Sequence, residues 1–179
     1  MSYNMENSVL EDIVKALSRE DPDIAQIREL FTRGRIRRMR NTTEDRKFEN
    51  LFNEVVKKAH NFLEWDPTDL FRNSVIVAAY LRYLNLKTNQ VRKILEIART
   101  IERKARGGEQ DIKPEIVKMR YLLAYIAGKG RGEALEAFQK VIDPILRVLM
   151  NSSESKNFLE FYEFLQAVLA YHRFFGGVE

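Results

Sequence analysis

The chain has 179 residues, of which 45% are hydrophobic and 31% are charged, and its formal net charge is +4. This length supports one domain with a sizeable buried core. The chain has no cysteine and only two histidines, His60 and His172, which excludes disulfides and thiolate metal sites and disfavours an imidazole-rich metal centre. No apolar run approaches the roughly 20 residues that span a bilayer, so we expect a soluble, cytoplasmic protein without a membrane partner.

Apolar residues recur at helical spacing through most of the chain, and glycine and proline are few. The predicted helices cover residues 9–19, 23–31, 44–63, 71–84, 89–106, 115–127, 133–150 and 156–175. Thr88 is a candidate cap for the fifth helix, and Gly176 with Gly177 is a candidate stop for the last. Asp143 followed by Pro144 predicts a break in the seventh helix, because proline removes a helical hydrogen bond.

The last predicted helix holds seven aromatic residues between Phe158 and Phe175. A helix that is apolar on most of its circumference is usually buried, so we predict that it lies in the core. The fold class is therefore all-α, a compact bundle of about five to six core helices with an N-terminal helical extension. We assign residues 1–43 to the extension and residues 44–179 to the bundle domain.

Charge is unevenly distributed along the chain. Residues 87–131 carry twelve basic and five acidic side chains, whereas residues 1–32 and 132–179 are net acidic. On the predicted helix 89–106, one face carries the basic side chains Arg92, Arg99, Arg103 and Arg106. The opposite, apolar face consists of Val91, Ala98, Ile101 and Ala105. Such asymmetry is expected when one surface meets a polyanion.

A second basic group surrounds the segment YLLAYIAG. Its members are Lys118, Arg120, Lys129 and Arg131. The last two alternate with glycines in GKGRG (128–132), which predicts a loop that brings backbone N–H groups and cations near a phosphate. The spacing of a Walker loop is missing, so the segment does not indicate nucleotide binding.

Catalytic motifs are not apparent. The sequence has no GxSxG elbow, no HExxH motif and no carboxylate pair that stands out as an acid and base. His172 lies in the aromatic helix, where a packing role is favoured, and His60 lies near a helix end. We therefore predict a helical binding module for nucleic acid, not an enzyme, with no cofactor or metal.

Three segments, in chain order, carry a family resemblance. They are LKTNQVRKILEIART (86–100), VKMRYLLAYIAGKG (117–130) and NFLEFYEFLQAVLAYHRFFGG (157–177). Together they resemble the small subunit of the type III-A CRISPR effector, the Csm complex, over about residues 71–177 of the chain.

The resemblance implies a non-catalytic all-α subunit of an antiviral ribonucleoprotein. Copies of such a subunit stack beside the backbone and large subunits and line the channel that holds guide RNA paired with target RNA. They would hold the RNA backbones without sequence specificity, because base pairing supplies the sequence information. The RNA-binding residues that it implies by position are Lys87, Arg92, Lys93, Lys118, Arg120, Lys129 and Arg173. The basic pattern adds Arg99 and Arg131.

The run FTRGRIRRMRN (31–41) lies outside this resemblance and has five arginines within residues 33–40. We predict that Arg35, Arg37 and Arg38 make auxiliary RNA contacts or meet a neighbouring subunit. Two alternatives stay open, a helical DNA-binding regulator and a protein–protein adaptor. The first should contain a recognisable helix-turn-helix, and the second should lose RNA at physiological salt.

Overall fold

The computed structural model describes residues 3–34, 36–130 and 132–179. This part of the chain forms eight α-helices and no β-strand, which confirms the all-α prediction. The helices are α1 (Tyr3–Leu17), α2 (Ile24–Gly34), α3 (Thr43–Ala59), α4 (Pro67–Tyr83), α5 (Arg92–Arg106), α6 (Lys113–Gly130), α7 (Glu133–Asn151) and α8 (Asn157–Phe174). Two short 3₁₀ helices, Phe62–Glu64 and Thr88–Val91, precede α4 and α5.

Helix α4 is the centre of the bundle. Every residue from 73 to 81 is buried, and α3, α7 and α8 pack around it. Val75, Ile76 and Val77 are fully buried, and each such side chain stabilises the fold by about 1.5–3 kcal/mol. A helix that is apolar on all sides needs neighbours on all sides, so α4 determines the arrangement of the other core helices.

Helix α8 packs along α4 and lies in the core, as its aromatic content predicts. Phe158, Phe161 and Phe164 are fully buried. The Phe164 and Trp65 rings also form a T-shaped pair, with ring centres 5.3 Å apart. The opposite side of α8 is polar and exposed at Glu160 and Glu163, so α8 is less completely enclosed than α4.

The N-terminal helices share the same core. Leu10 and Ile13 of α1 are fully buried, and α1 packs against α2 and α3. At the other end of α2, the Phe31 ring stacks on Phe175 with centres 5.9 Å apart. The segment predicted as an extension is therefore packed into the bundle through both of its helices.

The start of α4 is determined by residues 66–69. The Asp66 carboxylate accepts a hydrogen bond from the Asp69 N–H at 2.8 Å, and the Asp69 carboxylate accepts one from the Asp66 N–H at 3.3 Å. Pro67 occupies the first helical position, where a missing N–H has no cost. This capping box starts α4 four residues earlier than the hydrophobic pattern predicts.

The predicted break at Pro144 and the predicted cap at Thr88 are both wrong. Helix α7 is continuous through Pro144, and Asp143 pairs with a side chain of α6 instead of capping a new helix. The buried residues Ile142 and Ile145 on either side hold the helix against its neighbours despite the lost hydrogen bond. Thr88 lies in the 3₁₀ helix before α5, and its hydroxyl donates to the Val178 carbonyl instead of capping α5.

The C-terminal end of α8 confirms the predicted glycine stop. Gly176 has a φ of +86°, and the Gly177 N–H donates to the His172 carbonyl at 2.8 Å. This pattern is a Schellman motif, which favours glycine because of the left-handed conformation. It returns the chain across the His172 ring, so that Val178 pairs with Lys87 in an isolated β-bridge.

His172 is buried beneath this turn, with 1% of its surface exposed, as expected for a packing residue. Burial lowers the pKa of His172, and the nearby Arg82 and Arg173 lower it further. The folded protein therefore holds His172 neutral at a pH where the unfolded chain, with a histidine pKa of about 6.5, already binds a proton. This difference favours unfolding as the pH falls.

We predict that the free energy of unfolding decreases from about pH 7 to about pH 5, and that His172→Phe reduces this decrease. The measurement is denaturant unfolding of both proteins at each pH. The difference between the two proteins isolates His172 from the carboxylates, which are common to both. The same pH dependence in both proteins would contradict the prediction.

Candidate nucleic-acid interface

Helix α5 separates its charged and apolar residues as the sequence predicts. The predicted apolar face is buried at Val91, Ala98, Ile101 and Ala105. The predicted basic face is exposed at Arg92, Arg99, Arg103 and Arg106. Because α5 packs on α8 and α6 through its apolar face, its arginines point to solvent.

Helix α6 runs antiparallel to α5 and has a core face and an aromatic outer face. Ile116, Met119 and Leu123 are buried. Tyr121 and Tyr125 each lie two residues beyond a buried position, about 200° around the helix, and are 61% and 59% exposed. Two tyrosines one turn apart are thus presented to solvent, Tyr125 on the side of α5 and Tyr121 on the side of α7.

A groove with a volume of about 760 Å³ lies between the first turn of α5 and the last turns of α6. Arg92 and Lys93 line one side, and Tyr125 and Lys129 line the other. Among the described residues, none of these three cations forms an ion pair with a carboxylate. Their charges are therefore available to an anionic ligand.

The groove also contains uncharged and acidic groups. Asn89 and Gln90 contribute amides at its end, and Glu96 contributes a carboxylate. Glu96 also lines a smaller, more apolar groove of about 230 Å³ further along the same helices, where Lys118 lies. The two grooves thus continue one another between α5 and α6, with four of the predicted cations along their length.

Lys129 lies on a helix instead of the predicted glycine-rich loop. Helix α6 continues through Gly128 and Lys129 to Gly130, so their N–H groups are not arranged as a phosphate-binding loop. The Lys129 ammonium lies 5.6 Å from the centre of the Tyr125 ring. Arg131, the other cation of this segment, lies outside the described residues.

The family is identified by comparison with known families. The Csm2 Type III-A family matches residues 64–178, which include α4 to α8 and the whole α5–α6 groove. The chain belongs to this family. It is accordingly a small subunit of a type III-A CRISPR effector, and the resemblance noted in the sequence is confirmed. Comparison with curated proteins gives no match.

Membership of the Csm2 Type III-A family implies assembly with the other subunits of the Csm complex. Helices α1, α2 and α3 lie before the matched region, although they share its core. In the part of the chain that the structure describes, every helix is too short or too polar to cross a bilayer.

Arg120 holds two helices of the Csm2 domain together. Its Nε and Nη2 donate to the two oxygens of Asp143 at 2.8 and 3.1 Å, joining α6 to α7. The side chain is 25% exposed, and the Asp143 carboxylate raises the pKa of Arg120. The guanidinium is thus engaged within the chain, unlike Arg92, Lys93 and Lys129.

The arginine run packs against the bundle through Arg38. Its Nη1 donates to Glu133 at the start of α7 at 2.6 Å, and its Nε lies 3.5 Å from Asp45, whose side chain is 5% exposed. Asp45 also accepts a hydrogen bond from the Tyr83 hydroxyl at 3.0 Å. Arg38 therefore balances the charge of a buried carboxylate.

The other residues of the run differ from Arg38. Arg37 is exposed, and Arg40 lies 3.5 Å from Glu133. Arg33 forms an ion pair with Glu29 on α2. Arg35 lies outside the described residues.

The remaining predicted cations lie around the groove or away from it. Lys87 is exposed just before the 3₁₀ helix that leads into α5. Arg99 is exposed on α5, on the same face as Arg92. Arg173, 63% exposed in the last turn of α8, lies 3.4 Å from Glu179 and does not line the groove.

Sequence reasoning missed three groups of the groove, Tyr125, Asn89 and Gln90. Tyr125 could have been found by placing α6 on a helical wheel, since it lies opposite Leu123 and four residues before Lys129. No sequence pattern indicated Asn89 and Gln90. They enter the groove because the segment before α5 forms a 3₁₀ turn.

We predict opposite effects for two alanine substitutions at the end of α6. A Cβ at Gly130 would collide with the Leu135 side chain, so Gly130→Ala should lower the free energy of unfolding by about 1–3 kcal/mol. A Cβ at Gly128 meets nothing within 4 Å, so Gly128→Ala should be neutral or stabilise by up to about 1 kcal/mol. Denaturant unfolding measures the stability of the two variants. Equal stabilities of Gly130→Ala and Gly128→Ala would show that close packing does not require a glycine at position 130.

We also predict that Arg120→Ala lowers the free energy of unfolding by about 1–2 kcal/mol, because Asp143 loses both hydrogen bonds in a partly exposed site. The exchanged pair Arg120→Asp/Asp143→Arg should recover part of this loss. Arg99→Ala, on an exposed face, serves as the control and should change stability by less than about 0.5 kcal/mol. Wild-type stability in Arg120→Ala would show that the pair does not hold α6 to α7.

Proposed function

We propose that this subunit binds the guide and target RNA backbones along the α5–α6 groove, without sequence specificity and without catalysing a reaction. The observation that carries the proposal is the convergence of Arg92, Lys93 and Lys129 on one groove. The three come from opposite ends of two consecutive helices, the first turn of α5 and the last turn of α6, and all are exposed. Basic side chains gathered on one surface provide the electrostatic contact that a nucleic acid requires.

The chemistry of the groove favours phosphates over base edges. Lysine and arginine that project from a helix surface bind phosphate as charges, and such contacts carry no direct sequence information. Glu96 repels a polyanion and thereby limits the affinity of the groove. A guide-dependent complex needs this kind of contact, since base pairing supplies the specificity.

The exposed cations support this role better than the paired ones. We assign the principal contacts to Arg92, Lys93 and Lys129, with Arg99 and Lys118 along the same helices and Lys87 just before the 3₁₀ helix that leads into α5. Arg38 and Arg120 would have to leave a carboxylate of their own chain before they could bind RNA. We therefore propose that they act mainly by holding the fold.

We further propose that copies of this subunit stack within the effector filament through complementary charge. The segment 87–131 is net basic, whereas segments 1–32 and 132–179 are net acidic. The exposed Glu160 and Glu163 on α8 lie on the side of that helix facing away from the core. A basic surface of one copy could thus meet an acidic surface of the next.

The proposal predicts that Arg92→Ala/Lys93→Ala weakens binding to single-stranded RNAs of unrelated sequence by the same factor. The dependence of the logarithm of affinity on the logarithm of salt concentration should become less steep, by about 0.7 for each phosphate that the variant no longer neutralises. Binding can be followed by fluorescence anisotropy over a range of salt concentrations.

The matched control is Arg46→Ala/Lys57→Ala, which removes one arginine and one lysine from exposed positions on α3. This control should bind RNA as the wild type does. Equal losses of affinity in both double variants would indicate a general charge effect, and unchanged binding in Arg92→Ala/Lys93→Ala would overturn the proposed groove. Preference for one DNA sequence would instead support a DNA-binding regulator.

A further inference from the structure

Tyr125 is a solvent-exposed aromatic side chain in the basic groove. It is 59% exposed, and it lines the groove together with Arg92, Lys93 and Lys129. The fold does not need its ring for the core, because α6 packs through Ile116, Met119 and Leu123 on its other face. An accessible aromatic ring among cations is the arrangement by which proteins bind unpaired nucleotides.

We propose that Tyr125 stacks on the base of an unpaired RNA nucleotide whose phosphate is held by the cations of the groove. This proposal rests on the proposed function and adds the state of the RNA that the groove prefers. A base inside a duplex has both faces covered by its neighbours, so only an unpaired nucleotide can offer a face to the ring. The groove should therefore distinguish unpaired from paired nucleotides, although it does not distinguish sequences.

The geometry allows the base and the phosphate of a nucleotide to be bound together. The Lys129 ammonium lies 5.6 Å from the centre of the Tyr125 ring, on the same helix and one turn away. Arg92 and Lys93 face this pair across the groove. At about 760 Å³, the groove falls in the size range of clefts that bind small organic ligands, which a nucleotide matches.

The amides at the end of the groove do not require a particular base. The Gln90 side-chain oxygen already accepts a hydrogen bond from the Lys87 N–H at 3.1 Å, which leaves its NH₂ group as a donor. Asn89 is exposed and can rotate, so it can donate or accept. Stacking combined with adaptable amides is tolerant of sequence, as a guide-dependent subunit needs.

Helix α6 provides a matched control in Tyr121. It is the same residue type, one turn earlier, and 61% exposed. It lies instead over a separate groove of about 350 Å³ between α6 and α7, where Arg120 is paired with Asp143. Stacking on an exposed ring without free cations should be weaker, so the two tyrosines separate the contribution of the groove from that of a tyrosine on the surface.

The test compares wild type, Tyr125→Leu, Tyr121→Leu and Tyr125→Trp as full-length chains. Each is titrated at low salt with a labelled single-stranded RNA and with the duplex formed by that RNA and its complement. Tyr125→Leu should weaken single-strand binding about tenfold and change duplex binding much less. Tyr121→Leu should behave as the wild type does. Circular dichroism should show unchanged folding, since both side chains are exposed.

The Tyr125→Trp variant gives a second readout. Tryptophan keeps the stacking surface, so this variant should retain single-strand affinity, and its added fluorescence should be quenched by single-stranded RNA more than by duplex. The wild type, in which Trp65 lies away from the groove, provides the background signal.

The outcomes separate this proposal from the one on which it rests. If the wild type binds neither RNA, the proposed function itself fails. If it binds both RNAs and Tyr125→Leu binds them as the wild type does, RNA binding stands and stacking is overturned. Weaker association of Tyr125→Leu with another subunit, with RNA binding unchanged, would also overturn stacking and assign the ring to a subunit interface.

Discussion

The burial of α4 is the constraint on which the rest of this molecule depends. Because residues 73–81 are buried all around the helix, α3, α7 and α8 must each turn an apolar face toward it. Helices α5 and α6 then lie at the edge of the bundle, α5 against α8 and α6 against α7. Each of these outer helices buries one stripe and leaves its opposite face to solvent, and those exposed faces carry the cations of the groove and Tyr125.

Burial also determines which basic side chains remain available to a ligand. A carboxylate withdrawn from water needs a cation nearby, so the buried Asp45 engages Arg38, and the partly buried Asp143 engages Arg120. Arg92, Lys93 and Lys129 lie on outer faces where no buried carboxylate requires them. An arginine therefore stabilises the fold at one position and remains available to a ligand at another.

The Arg120–Asp143 pair and the close contact of Gly130 with Leu135 keep α6 in place, which fixes Lys129 and Tyr125 relative to α5.

The arginine run shows that the function predicted from a local sequence pattern can differ from the contacts that its residues make in the folded chain. Five arginines within residues 33–40 resemble an RNA-binding segment, and composition alone favours that interpretation. In the folded chain, Arg38 lies between Asp45 on α3 and Glu133 at the start of α7, while Arg37 is exposed. The run thus joins the N-terminal helices to the region that matches the Csm2 family, and its exposed members remain candidates for contact with RNA or a neighbouring subunit.

The sequence by itself determined the helices, the two faces of α5 and the family, because helical periodicity and local motifs are properties of short segments. It also located the Gly176 stop, since only a left-handed residue completes that turn. Only the tertiary structure decided which cations share a groove, because Arg92 and Lys129 meet through the antiparallel packing of α5 and α6. It also decided that Arg120 and Arg38 are paired and that Pro144 lies within a continuous helix. These outcomes depend on partners distant in the chain, which supply the packing and charge that local sequence does not contain.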